Sequence, residues 1–334
     1  MSRSKFYPYL VTIIIMAVFF GLIHLVVPAI DMFDFSPQDM GMSTLIVTVI
    51  QLVFALVIVQ LMKRDGSYLV LDHAGFRLGD LFRPILGWMF ILFKFGAIFA
   101  VVQLLPSDVL KTQPVGIVLA LVFSLSIGLF EEYLFRGFMF KNMIKGKDES
   151  AVIPAALISS LLFGLFHIDF VMVLKGVNTG QIGTAFFAFG VGFYLAAITY
   201  RFGKMWIPIM IHALIDFPTF LMIALVDTGK IFEYIEPYLD EMTLSMTDLG
   251  TEGGNPAIVL LGLMFLVAGG RMLRKTTNAR RMERITREEL DRQSSVNQFD
   301  YFPSPDNFLH DDKYDQIDSL QNETETERNK DVNE

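Results

Sequence analysis

Residues 128–137 read Gly128-Leu-Phe-Glu-Glu-Tyr-Leu-Phe-Arg-Gly137, and they end a segment, 115–130, that is otherwise almost entirely apolar. A charged side chain at membrane depth costs roughly 2.5–3.5 kcal/mol on insertion scales, so three of them this close together need a function or compensating partners. Glu132 and Arg136 are four residues apart and can pair on one helix face. Glu131 is five residues from Arg136, about 140° around the helix, and is predicted to point elsewhere.

The composition of the whole chain indicates a polytopic membrane protein. Of its 334 residues 53% are apolar and only 19% are charged, which does not describe a soluble globular protein. The apolar residues come in blocks of about 20, long enough to cross a bilayer core of about 30 Å. Since the chain has no cysteine, a disulfide framework, a thiolate zinc site and a cysteine nucleophile are all excluded.

The apolar blocks predict an all-α bundle of about eight transmembrane helices within residues 1–272. The first block is too long for a signal peptide and lacks a small-residue cleavage site, so it is interpreted as a span. The predicted spans are Tyr7–Val27, Met42–Met62, Ile85–Leu105, Val115–Phe140, Ala151–Ile168, Gln181–Tyr200, Met205–Leu225 and Ala257–Met272.

The distribution of Lys and Arg predicts the orientation of the bundle. Basic residues precede the first span and follow the second, fourth, sixth and eighth, whereas the alternate loops are poor in them. Because basic loops stay cytoplasmic, we expect a multi-pass protein of the cell membrane with both termini in the cytoplasm. The outer loops are predicted to be acidic, notably the first, with Asp31, Asp34 and Asp39, and the last, Asp227 to Asn255.

Residues 273–334 are predicted to form a cytoplasmic tail. Its first part, Arg274 to Arg292, is basic and resembles a short helix that lies against anionic lipid headgroups. From Gln293 onward the tail is rich in acidic and amide side chains, a composition typical of disorder. Membrane lipids are therefore expected partners, and no nucleic-acid-binding signature is present.

Further polar residues lie in spans that flank the glutamate pair. His167 lies near the end of the fifth span, one turn after Phe163. The ring of Phe163 is expected to pack against the imidazole. In the seventh span His212 and Asp216 are four residues apart and share one helix face. Glu131, His167, His212 and Asp216 on neighbouring spans predict a site, since no other acidic residue lies inside a predicted span.

This set of side chains favours hydrolysis by activated water. No serine lies in a Gly-x-Ser-x-Gly context, so no side-chain nucleophile is evident. Glu131 suits the role of general base, and the imidazoles can stabilise an oxyanion. Equally, Glu131, His167 and His212, with Asp216 beside them, are ligands of the kind that bind a divalent ion such as zinc. The sequence leaves both versions open.

The ordered motifs resemble a known family. Glu131-Glu132-x-x-x-Arg136, then Phe163-x-x-x-His167, then His212-x-x-x-Asp216 look like the CAAX prenyl protease and bacteriocin-processing (Abi, or CPBP) family of intramembrane endopeptidases. The resemblance covers roughly residues 110–225, the expected catalytic core.

The resemblance implies a role for each matched residue. Glu131 would activate water with help from His167, Glu132 would pair with Arg136, and His212 with the residue four after it would stabilise the oxyanion. Asn is common in the family where this chain has Asp216. An ionised Asp would repel an oxyanion, so we expect Asp216 to be protonated, to hold the tautomer of His212, or to bind a metal ion.

The function expected from the sequence is therefore cleavage of peptide bonds in membrane-anchored, lipidated or hydrophobic peptides that reach the site laterally. In a cell without prenylated proteins the resemblance implies bacteriocin maturation or self-immunity. Two alternatives from other classes stay open. One is a non-catalytic membrane scaffold or immunity protein of the same fold, and the other is an ion-coupled transporter with a Glu and His relay.

Overall fold

The computed structural model describes residues 6–31, 41–70, 78–110, 114–168, 180–227, 230 and 256–300. Within these ranges the chain is helical and has no strand, although an isolated antiparallel bridge joins Leu110 to Val226. Eight helices are long and apolar enough to cross a membrane, which confirms the predicted all-α bundle. They are α1 (Tyr7–Asp31), α2 (Met42–Asp65), α3 (Ile85–Leu104), α4 (Pro114–Glu132), α5 (Val152–Phe166), α6 (Gly180–Phe202), α7 (Trp206–Leu225) and α8 (Pro256–Asp300).

The fourth span is longer and less regular than the sequence predicts. Helix α4 ends at Glu132, a π-helix follows over Tyr133–Phe140, and a last α-helical turn covers Lys141–Ile144. A π-helix bonds each backbone N–H five residues back instead of four, so it turns the following side chains away from their α-helical positions. This change of register begins directly after the two glutamates.

Several predictions fall wholly or partly on residues outside the described ranges. The first acidic loop, with Asp34 and Asp39, and nearly all of the last one, 228–255, lie there, as do residues 301–334 of the tail. Helix α8 continues to Asp300, so the predicted start of disorder at Gln293 falls inside a helix. Two compact units divide the chain, Met1–Asn278 and Ala279–Glu334. The cytoplasmic position of both termini stays a prediction.

The helices that carry the motifs form the inner part of the first unit. Helix α6 is the most buried of the eight, followed by α7 and α5, whereas α3 and α1 are the most exposed. The exposed side chains of α1, α2 and α3 are largely Leu, Ile, Val and Phe, as a lipid-facing surface requires. The polar residues of α4, α5 and α7 are thus enclosed by apolar helices.

Gly128 lets α4 approach α7 closely. A Cβ atom at this position would lie 2.9 Å from the carbonyl oxygen of Ile209 and 3.3 Å from both the amide nitrogen and the Cβ of Ala213. Since real Cβ atoms do not approach backbone atoms this closely, a larger residue would push the two helices apart. Gly128 lies one turn before the glutamate pair, and Ile209 one turn before His212.

We therefore expect Gly128→Ala to lower the stability of the bundle, by about 1–3 kcal/mol as overpacking does in well-packed cores. Gly137→Ala is the matched control. The three atoms nearest to its Cβ would be Sδ and Cε of Met62, at 2.8 and 2.9 Å, and Cδ1 of Tyr133 at 3.5 Å, and the end of the methionine side chain can move away. Thermal unfolding of both variants in lipid measures the difference. Equal losses would show that the α4–α7 approach is not specially constrained.

Candidate active site

Glu132 and Arg136 form the predicted ion pair. Nη1 of Arg136 lies 2.7 Å from Oε1 of Glu132, and both side chains are 0% exposed. Glu132 is the last residue of α4 and Arg136 belongs to the π-helix, so the pair joins the two segments. Because each charge is fully buried, neither has water to replace its partner.

Oε1 of Glu132 also binds His212 on α7. The distance to Nδ1 of the imidazole is 2.8 Å. An oxygen that already accepts a bond from Arg136 belongs to a carboxylate, so Nδ1 of His212 must carry the proton and donate it. Glu132 therefore fixes the orientation and the tautomer of His212, a role that the sequence left open for Asp216.

The opposite ring nitrogen of His212 faces the two remaining carboxylates. Nε2 lies 3.6 Å from Oε2 of Glu131 and 3.4 Å from Oδ2 of Asp216. Oε2 of Glu131 is buried and has no hydrogen-bond partner among the described residues. The two glutamates thus approach the same imidazole, Glu132 at Nδ1 and Glu131 at Nε2. Helix spacing alone predicts only that the two side chains point in different directions. Asp216 is the most open of the three carboxylates, with 28% of its side chain exposed.

His167 follows the last residue of α5, and its ring is held as the sequence predicts. Nδ1 lies 2.9 Å from the carbonyl oxygen of Phe163, and the two ring centroids are 4.7 Å apart, edge to face. Because a carbonyl only accepts, Nδ1 donates and Nε2 keeps a lone pair. Nε2 of His167 is therefore able to accept a hydrogen bond from a water molecule.

The ring of Phe163 lies beside three members of this cluster, Arg136, His167 and His212. The guanidinium carbon of Arg136 lies 4.2 Å from its centroid, and the ring of His212 lies 5.7 Å away. Within the described part of the chain, Nε and Nη2 of Arg136 have no hydrogen-bond partner, so the aromatic face adds to the compensation that the ion pair with Glu132 provides. All six predicted residues, Glu131, Glu132, Arg136, His167, His212 and Asp216, thereby converge between α4, α5 and α7.

Residues 112–218 match the family model described as Rce1-like, type II CAAX prenyl endopeptidase Rce1-like, and this stretch contains all six residues. This segment belongs to that family. The resemblance seen in the sequence is confirmed over these residues, which at family level are those of a CAAX-type membrane endopeptidase. Neither the search of curated proteins nor that of solved structures gave a match.

The predicted metal ligands of this CAAX-type domain do not form a ligand group as they stand. Among the described residues, no three His, Asp or Glu side chains are arranged to hold a metal ion. Of the predicted set Glu131, His167 and His212, the last already uses Nδ1 for Glu132. Participation of zinc or another divalent ion stays a prediction.

Sequence reasoning missed two residues that shape the site. Gly192 of α6 packs beneath Arg136 and Phe163, since a Cβ there would lie 2.8 Å from Nη2 of the first and from Cδ1 of the second. No local sequence signal marks this glycine. Lys94 of α3 lies inside a predicted span, and the rule that identified the intramembrane acids would have identified it too.

Proposed function

We propose that this chain hydrolyses peptide bonds of membrane-associated, lipidated or hydrophobic peptides, with Glu131 as the general base. One observation carries the proposal. The buried, unpartnered Oε2 of Glu131 lies beside His212, whose other nitrogen is fixed by the Glu132–Arg136 pair. A carboxylate left without a donor at the centre of an otherwise bonded cluster is poised to accept a proton.

In the proposed reaction a water molecule attacks the scissile carbonyl carbon while Glu131 accepts its proton. Nε2 of His167 accepts the second hydrogen of this water and orients it. An N–H at Nε2 of His212 stabilises the oxyanion of the tetrahedral intermediate. The intermediate then collapses with cleavage of the C–N bond, and Glu131 returns the proton to the leaving amine. Because Nδ1 of His212 donates to Glu132, this step uses the imidazolium form of the ring, and Oδ2 of Asp216 lies 3.4 Å from the same nitrogen.

Substrates of the proposed activity carry an apolar or lipid anchor, since the site is enclosed by helices of membrane length. Its more open side is that of Asp216, which we propose as the side from which a peptide approaches. In a cell without prenylated proteins, the proposed substrates are hydrophobic peptides such as bacteriocins, processed for maturation or self-immunity. The proposed location is the cell membrane with both termini cytoplasmic.

Single-turnover cleavage by the purified protein in lipid tests the proposal. A panel of farnesylated and unmodified hydrophobic peptides is incubated in H₂¹⁸O, with Glu131→Gln in parallel, and the products are identified by mass spectrometry. We expect cleavage by the wild type, with one ¹⁸O atom in the new carboxyl group, and none by the variant. The unmodified peptides decide whether a lipid is required.

Repeating the cleavage assay with a metal chelator distinguishes the glutamate-base mechanism from the metal-assisted one. Activity that survives chelation supports a glutamate base acting alone, whereas activity that is lost and returns with Zn²⁺ supports a metal-assisted reaction. Absence of cleavage by a folded wild-type protein across the whole panel would contradict the proposal and favour a scaffold or immunity protein of the same fold.

A further inference from the structure

Lys94 is a charged residue in the middle of a membrane-length helix. It is the tenth of the twenty residues of α3 and is half-buried. Its ammonium lies 2.6 Å from the carbonyl oxygen of Ile215 and 2.9 Å from the hydroxyl oxygen of Thr219, both on α7. A lysine in hydrocarbon is costly and is usually placed for a partner or a function.

Pro218 lies in the part of α7 that Lys94 contacts. Proline has no N–H, so the carbonyl of Leu214 loses its intrahelical donor, and a proline inside a helix bends it. Neighbouring helices commonly supply donors to backbone groups exposed in this way inside a membrane. Lys94 donates to the next carbonyl, that of Ile215, and this contact alone would be a structural role.

The position of these contacts gives Lys94 a second role. Ile215 immediately precedes Asp216, and Thr219 lies three residues after it, on the same helix face. The ammonium of Lys94 therefore lies at the peptide bond between Ile215 and Asp216 and brings a positive charge to this part of α7. The lysine is thus held against the stretch of α7 that carries the most open carboxylate of the site.

The balance of charges in the cluster also supports a role for Lys94 in the site. Glu131, Glu132 and Asp216 surround the ring of His212, and Arg136 bonds only to Glu132 among them. An acid inside a membrane bundle without a compensating cation is strongly disfavoured. Lys94 brings a basic side chain from α3 to the stretch of α7 that carries Asp216.

We propose that Lys94 is a positioning residue of the active site: by binding the carbonyl of Ile215 and the hydroxyl of Thr219, it holds the stretch of α7 that places Asp216 beside Nε2 of His212, and it adds a positive charge there. This inference deepens the proposed function and rests on it for its kinetic readout. A helix that looks like a lipid-facing support, outside the segment matched by the family, thereby contributes to the site.

A double-mutant cycle tests the proposal in the full-length protein in lipid. The variants are Lys94→Met, Asp216→Asn and their combination, and Lys94→Gln is the matched control that keeps a donor for Ile215 without the charge. We expect Lys94→Met and Lys94→Gln to lower kcat by about tenfold or more with little change in KM, an effect of the size that coupled neighbours show. In the Asp216→Asn background the same lysine substitutions are expected to have little further effect.

The opposite pattern would overturn the proposal. If the losses from Lys94→Met and Asp216→Asn multiply, or if Lys94→Gln is as active as the wild type, the lysine serves only the backbone of α7. Thermal unfolding of the wild type and of the same four variants measures the coupling between Lys94 and Asp216 without relying on catalysis. Should the wild type cleave nothing, the proposed function fails, yet a double variant with a higher Tm than Lys94→Met would still support the charge pairing, and additive shifts would contradict it.

Discussion

Replacing Glu131 with glutamine is expected to lower the single-turnover cleavage rate by about 10²–10⁴-fold, the range that general acid–base catalysis contributes. Glutamine keeps the size of the side chain, but its amide cannot accept the proton of the attacking water. The substrate should still bind, since the remaining residues of the site are unchanged, so the loss is expected in kcat and not in KM.

The same substitution is expected to raise the thermal stability of the protein. Oε2 of Glu131 is a buried oxygen without a hydrogen-bond partner in the described structure, and a buried carboxylate oxygen that lacks a donor destabilises the fold. A rise in Tm together with a loss of activity would separate catalysis from folding. Glu289→Gln, at an exposed position of α8, serves as the control and should change neither quantity. Equal cleavage rates in Glu131→Gln and wild type would remove Glu131 from the mechanism.

Replacing Arg136 with methionine is expected to lower the free energy of unfolding by about 3–5 kcal/mol, as the loss of one partner of a buried ion pair does. Glu132 is 0% exposed and would keep His212 as its only strong donor. The cation–π contact with Phe163, at 4.2 Å, would be lost as well. Denaturant or thermal unfolding in lipid measures the effect.

A second variant shows whether Arg136 serves stability or the geometry of the site. Combining Arg136→Met with Glu132→Leu replaces the pair by apolar side chains of similar volume, which is often neutral or stabilising. We expect this double variant to recover much of the lost stability but not the activity, since His212 then lacks the acceptor that orients Nδ1. A double variant that cleaves at the wild-type rate would show that Glu132 is dispensable for orienting His212.

Local sequence patterns were sufficient for the architecture and for part of the site. Apolar runs of membrane length gave the eight spans because the hydrophobic thickness of a bilayer fixes the length of a helix that crosses it. The spacing of Glu132 and Arg136 gave their ion pair, and the spacing of Phe163 and His167 gave their contact. The two members of each pair are one helical turn apart. Their proximity therefore depends only on the backbone of one helical segment.

Contacts between helices could not be predicted from the sequence. The π-helix after Glu132, the bond from His212 to Glu132 and the contact of Lys94 with α7 depend on how α3, α4 and α7 pack. The close approach of α4 and α7 at Gly128 is part of that packing. A glycine in an apolar run does not indicate which helix will pack against it.

The sequence by itself therefore determined that this protein is a membrane helix bundle with a segment that resembles CAAX-type endopeptidases, and which polar residues lie inside the spans. Charged residues are costly in hydrocarbon, so the few that occur there stand out in the sequence. Only the tertiary structure decided which carboxylate holds His212, which one is left without a donor, and which lysine stands beside Asp216. These assignments depend on distances of a few ångströms between separate helices, which periodicity within one helix does not contain.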